Sequence, residues 1–198
     1  MEIIKEKKKR SRLEEAKERV ENPISIAEEQ QKWHWHCIYR LPMWWPEIHK
    51  NATSYKPQVV SFGPYHHGQP HLQAMEEHKL RAVVHFVART KKPIEAYLAA
   101  LRDVEWRRDE EKFLELMMVD GCFMLEILYY YSEAYLSNDY AADYAANDPI
   151  FSTHGKLYNI PHIKRDMLMV ENQIPLLVLE RLVNVERGDG EECNSKCI

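Results

Sequence analysis

Asp109-Glu110-Glu111-Lys112-Phe113-Leu114-Glu115-Leu116-Met117-Met118-Val119-Asp120-Gly121-Cys122-Phe123-Met124-Leu125-Glu126-Ile127-Leu128-Tyr129-Tyr130-Tyr131 points to a helical fold. Phe113, Leu116, Met117, Phe123, Ile127 and Tyr130 recur at helical spacing and share one face. Asp109, Glu110 and Glu111 open the stretch, where the helix dipole favours negative charge. The pattern predicts a helix from about Asp109 to Leu136. Upstream, Leu72, Met75, Leu80, Val83, Val84 and Val87 fit the inward face of a helix over Leu72 to Arg89. Pro93 then suits the first turn of a helix whose inward positions are Ile94, Tyr97, Leu98, Leu101 and Val104. Downstream, residues 137–150 read as a loop holding two near copies, Asp139-Tyr140-Ala141-Ala142 and Asp143-Tyr144-Ala145-Ala146. This unit is too short to bury a face of its own. A last helix is expected from about His162 to Val185, kinked near Gln173 by Pro175.

The N-terminal third differs in character. Residues 2–21 are almost all Lys, Arg and Glu, with Leu13, Ala16 and Val20 at helical spacing, so an exposed helix is expected. Lys7-Lys8-Lys9-Arg10 could attract an anionic surface, but acidic residues flank it, and a solvated arm is the simpler reading. Asn22-Pro23 ends that segment, and Ile26 to Trp33 reads as a second short helix. Residues 38–74 read as a long irregular connection with an extended piece at Gln58 to Phe62. A loop of that length is functional or fixed by its own contacts, which Tyr39, Trp44, Trp45, Tyr55, Phe62 and Tyr65 could supply. The expected organisation is a charged helical arm over 1–34, a helical domain over 35–186 and a flexible polar tail over 187–198. The fold class is mainly α: an irregular multi-helix domain with a long, ordered, Pro- and aromatic-rich N-terminal loop.

Composition excludes several functions. With 45% hydrophobic residues in 198, the chain can bury a core. A net charge of -4 argues against a nucleic-acid partner, which calls for a basic face. No apolar run approaches the roughly 18 residues that a membrane span needs. The densest, Cys122 to Tyr131, is short and interrupted by Glu126. No apolar stretch follows the charged N-terminus, so no signal peptide is expected. Cys37, Cys122, Cys193 and Cys197 are too few for a disulfide scaffold and lack zinc-knuckle spacing, so free thiols in a reducing, cytoplasmic compartment are expected. Asn51-Ala52-Thr53 is a glycosylation sequon, relevant only on the secretory route.

Four constellations could carry chemistry. Glu171-Asn172-Gln173 lies between apolar runs, and buried polar groups there must find partners. The structural reading is a polar network that locks the kink; the functional one is a buried acid at Glu171 with a raised pKa, paired with Asp120. Gly121, mid-helix, costs roughly 1 kcal/mol against alanine, which points to close approach of another helix or of the long loop. Asp120 would then receive the loop's backbone amides or Arg40. Cys122 is expected to be a buried, inert thiol. Imidazoles are dense at His34, His36, His49, His66, His67, His71 and His78, yet no closed metal-ligand set is recognisable; a site built from His34, His36, His66 and His67 is the alternative to imidazoles that pack and hydrogen-bond. The chain lacks a G-x-S-x-G elbow, a phosphate loop and a G-x-G-x-x-G turn.

Taken in order, Ile38-Tyr39-Arg40-Leu41-Pro42, Pro57-Gln58-Val59-Val60-Ser61-Phe62-Gly63-Pro64-Tyr65-His66-His67-Gly68, Met75-Glu76-Glu77-His78-Lys79, Asp120-Gly121-Cys122-Phe123, Asn147-Asp148-Pro149-Ile150-Phe151 and Asp166 through Pro175 resemble the plant family known as domain of unknown function 247. The likeness runs from about Trp35 to Val185. It implies a plant protein of recognition or regulatory type, with relatives connected to self-incompatibility, growth or defence. It implies no catalytic residue, cofactor or metal. Relatives resembling it are about twice as long and commonly end in an apolar segment, which implies plasma-membrane association for them; that segment is not in this chain. Met43-Trp44-Trp45-Pro46 departs from the more polar family pattern and suits an exposed partner patch.

The expected function is therefore a non-enzymatic interaction module with a protein partner, its surface including Trp44, Trp45, Tyr65, His66 and His67. Arg40, Asp120, Glu171, Asn172 and Gln173 are expected to form a structural polar network. The alternatives are a metal-dependent or acid-base enzyme using the His-rich loop or Glu171 with Asp120, and a truncated relative without independent function.

Overall fold

The computed structural model describes residues 13, 14, 17, 41, 55–102, 110–131 and 144–188. The chain divides into two compact units, Met1–Cys37 and Ile38–Ile198. In the first, Leu13, Glu14 and Lys17 are helical and exposed. The second holds α1 (Gln73–Thr90), α2 (Ile94–Arg102), α3 (Glu110–Tyr131), α4 (Thr153–Tyr158), α5 (Ile160–Met167) and α6 (Leu176–Arg187). There is no strand among the described residues, and the fold is mainly α.

The central helix is α3, which packs against α1, α2 and α6. Every residue from Asp120 to Ile127 is buried, because a helix enclosed on several sides is apolar nearly all round. Phe123 packs between Phe62 of the long loop and Phe151, with ring centroids 6.1 and 6.4 Å away. Full burial of a side chain like Phe123 contributes roughly 1.5–3 kcal/mol. Helices α2 and α6 close the other side, with Tyr97, Leu101, Val178 and Leu182 wholly inside.

In α1 the inward face differs from the expected one. Met75, Lys79, Ala82, Val83 and Phe86 are buried, whereas Leu80 and Val84 are exposed. The reason is Lys79. Its ammonium meets Asp120 in the core, which rotates the helix so that Leu80 and Val84 lie opposite. The helix ends in a left-handed residue, Lys91 at φ 56°, whose N–H bonds the carbonyl of Val87. Tyr97 Oη donates to Thr90 Oγ1 at 2.7 Å, tying α2 to that end. Ile94, expected inside, is exposed, and Val104 lies outside the described residues.

The C-terminal region overturns a second expectation. The single helix over His162 to Val185 is two helices, α5 and α6, separated by residues 168–175. Pro175 sits at φ -59°, ψ 136° as the residue preceding α6, not inside a kink. A proline disfavours helical backbone at the residue before it. Asn172 completes the break: its side chain reaches back to the carbonyl of Asp166, at the end of α5, and out to the long loop. The α4 helix falls in a stretch for which no helix is expected. Ser152 caps it by accepting from the N–H of Gly155 at 3.1 Å. The two Asp-Tyr-Ala-Ala copies, apart from Tyr144 to Ala146, lie outside the described residues, as do the expected helix at Ile26 to Trp33 and the tail beyond Gly188.

Candidate functional site

Residues 57–68 form an irregular segment held by side chains far along the chain. One carboxylate oxygen of Asp166, on α5, accepts the backbone N–H groups of Gln58, Val59 and Val60 at 2.9, 2.7 and 3.1 Å. Asn172 continues the line. Its Oδ1 accepts from the N–H of Phe62 at 2.7 Å, and its Nδ2 donates to the carbonyl of Val60 at 3.0 Å. Asp120, on α3, ends it by accepting from Gly63 N at 2.7 Å. A loop that forms no sheet thus has its buried amides satisfied by three side chains, as burial demands. The bonds to the Asp166 and Asp120 carboxylates contribute roughly 1.5–3 kcal/mol each, and the neutral bonds of Asn172 roughly 0.5–1.5 kcal/mol each.

Behind the segment lies a buried ionic cluster. Lys79 Nζ donates to Asp120 Oδ1 at 2.7 Å, to Glu76 Oε1 at 2.7 Å and to Ser61 Oγ at 3.2 Å. Ser61 Oγ also donates to Glu76 Oε1. Burial pushes the Asp120 carboxyl above the usual range, opposed by the Lys79 ammonium and the Gly63 amide. A serine beside a lysine invites a nucleophilic reading. The geometry opposes it, since Ser61 is wholly buried and all three ammonium donors of Lys79 are engaged.

The turn that follows is the exposed part. Gly63 and Gly68 adopt φ of 70° and 81°, which favour glycine. Between them Tyr65 is 37% exposed, His67 is exposed, and His66 turns inward at 6%. Gln69 Nε2 donates to His66 Nδ1 at 3.0 Å, which leaves the proton of the neutral ring on Nε2. That atom is buried and meets no hydrogen-bond partner among the described residues. Burial holds His66 below the usual imidazole range, with Glu171 opposing and Lys56 and His71 reinforcing. His67 Nδ1 lies 3.9 Å from Glu76 Oε2, and His71 Nε2 lies 3.1 Å from the carbonyl of Pro57.

The remaining expected residues fall as follows. Glu171 is half-buried and accepts from the N–H of Leu41 at 2.8 Å. It does so away from Asp120, whose oxygens are taken by Lys79 and Gly63. Gln173 is exposed. Trp44, Trp45, Arg40, His34, His36 and His49 lie outside the described residues, as do Cys37, Cys193, Cys197, Lys7 to Arg10 and the Asn51 sequon. Cys122 is a buried free thiol, and burial pushes its pKa up. Gly121 gives α6 room, since a Cβ there would lie 2.5 Å from Leu182 Cδ1 and 3.0 Å from Val178 Cγ1. No three of His, Cys, Asp and Glu converge as a metal would require among the described residues. No described helix is long and apolar enough to cross a membrane.

Two residues matter more than the sequence suggests. Asp166 anchors three amides, and Lys79 joins three elements from inside the core. The signals for Lys79 are its place at the inward spacing from Met75 and Val83 and its position at the end of the Met75–Lys79 motif. Asp148 is a third organiser. Its Oδ1 accepts from the N–H groups of Ile150 and Phe151 at 2.8 Å each, and its Oδ2 pairs with Arg81 at 2.7 Å.

An all-α domain that clamps an N-terminal loop with acidic and amide side chains is the class this geometry defines. The chain belongs to the plant family called domain of unknown function 247, described as "Plant protein of unknown function", whose model matches residues 38–197. It is 33% identical over 158 residues to a UPF0481 protein of Arabidopsis thaliana, covering 74% of this chain and 30% of that protein. A second UPF0481 protein of the same plant is 29% identical over 155 residues, covering 73% and 26%. The matched stretch thus spans about a third or less of either relative. No solved structure matches the chain.

Proposed function

We propose that this domain is a non-enzymatic recognition or regulatory module that presents the Tyr65–Gly68 turn to a protein partner. The observation that carries this reading is the clamp itself. Asp166, Asn172 and Asp120 spend their polar atoms on holding the backbone of Gln58 to Gly63. Such groups are then unavailable for acid-base work, and what they produce is a rigid support with an exposed tip. A loop fixed before binding loses little entropy when a partner arrives. Tyr65 and His67 offer the amphipathic, aromatic contacts that interfaces favour. His66 supports the turn from beneath. Trp44 and Trp45 extend the proposed surface.

The test is affinity capture from plant tissue, with cross-linking and quantitative mass spectrometry. It compares the native chain with a Tyr65→Ala, His67→Ala double variant and with Trp44→Ala, Trp45→Ala. Loss of a captured protein, with an unchanged melting curve, supports the placement. Retention of every captured protein by both variants places the surface elsewhere. Stoichiometric, tightly held metal in the purified chain would instead favour the enzymatic alternative.

A further inference from the structure

The outward face of α1 is organised in a way that neither the clamp nor the turn requires. Gln73, Glu77, Leu80, Val84 and Ala88 follow each other at three- and four-residue steps, so they form one narrow stripe, and Lys91, the left-handed cap, stands just past its C-terminal end. It lies opposite the buried row of Met75, Lys79, Ala82, Val83 and Phe86. The flank between is used within the domain: Arg81 pairs with Asp148, and the His85 ring lies 4.2 Å from that of Tyr144. The stripe itself faces solvent, with Leu80 56% and Val84 65% exposed. An apolar centre with an acid at one end and a base at the other is the pattern of an antiparallel helix pair.

We infer that this stripe is a self-association surface whose partner is a second copy of the chain, α1 against α1 across a two-fold axis at Val84. Charge and size both select that occupant. In the antiparallel register Val84 meets its symmetry mate, Leu80 meets the small Ala88 of the other copy, and Glu77 meets Lys91 of the other copy. Each contact then occurs twice, as an isologous interface requires. A parallel pair would set Glu77 against Glu77 and Lys91 against Lys91, which repels. A large residue facing a small one lets the two helices interdigitate closely. From Glu77 to Lys91 the stripe is about 21 Å long. A single helix pair of that length is a small interface, so the dimer is weak and concentration-dependent. The surface is separate from the Tyr65–Gly68 turn, and its failure would leave the proposed function standing.

Sedimentation velocity on the full chain across a concentration series tests this. A reversible monomer–dimer equilibrium is expected. Val84→Glu places like charges on the axis and should abolish it. Glu77→Lys and Lys91→Glu should each weaken association by roughly tenfold, because two symmetric pairs turn repulsive. The double charge reversal should restore it. These residues are exposed, so circular dichroism should show every variant folded, and the charge-reversal set stands even if Val84→Glu does not fold. A chain that is monomeric at every concentration overturns the proposal. So does a dimer indifferent to Val84→Glu, or a double reversal that fails to rescue.

Discussion

One oxygen of Asp166 serves three successive backbone amides, and no neutral side chain reproduces that. Asp166→Asn keeps an acceptor but loses the charge and should cost about 2 kcal/mol; Asp166→Ala strands three partly or wholly buried donors and should cost about 4 kcal/mol. Urea denaturation checks this through a lower midpoint at unchanged slope. A midpoint within error of the native chain would mean that water replaces the carboxylate freely. His66 makes a pH-dependent prediction. Its pKa is lowered in the folded state, chiefly by burial, from an ordinary 6.5. The unfolded chain therefore takes up a proton first as pH falls. The stability His66 contributes is present above 6.5 and is lost as pH drops from there through the lower folded value. Around it stand Glu171 and Asp166, which favour the proton, and Lys56 and His71, which oppose it. His66→Asn should flatten the fall in Tm below pH 6.5; an equal slope in both proteins would remove His66 as the source. At this scale the sequence was partly legible. Asp120 as receiver of loop amides could be read from a mid-helix Asp-Gly pair beside a long proline-rich loop. Asp166 could not, because one acid on an amphipathic helix normally faces water.

Elements were legible where periodicity was undisturbed. The centre of α3 and the extent of α1 follow the apolar spacing closely, and Pro93 marks the start of α2. Failures came where side chain–backbone bonding overrides the pattern. The apolar residues around Glu171-Asn172-Gln173 continue a helical rhythm from α5 into α6, yet Asn172 needs irregular backbone to bond Phe62, Val60 and Asp166 together. Leu80 and Val84 read as inward because apolar residues usually define the buried face, whereas a paired lysine holds that place. Gly121 provides the test at this level. Alanine would gain about 1 kcal/mol of helix propensity but would push into Leu182 and Val178. Overpacking costs about 1–3 kcal/mol, so Gly121→Ala should be net destabilising by about 1 kcal/mol. Leu182→Ala alone should cost about 2–5 kcal/mol. Combined, the two should cost less than their sum, since the added methyl fills part of the space that Leu182 leaves. Strict additivity would show that they do not touch.

For the molecule as a whole, the loop is integrated into the core by bonds that span the chain. The N–H groups of Val60, Phe62 and Gly63 should therefore exchange with solvent as slowly as the core amides of α3, by global rather than local opening. Hydrogen exchange read by NMR checks this, and fast exchange at those amides would make the clamp a local, dispensable contact. The motif order that marks the family is legible in one sequence, but what the motifs do is not. They meet only after folding: Asp120 from the fourth motif, and Asp166 and Asn172 from the last, close around the second. That separation also sets a timetable. Phe62 waits for an acceptor 110 positions further on, and Val60 for one 106 positions on. At a synthesis rate of about 5–20 residues per second, the nascent loop emerges roughly 5–20 s before Asp166 and Asn172 exist to receive it. For that interval a segment bearing Val59, Val60 and Phe62 is without its eventual acceptors, and its amides are left to water.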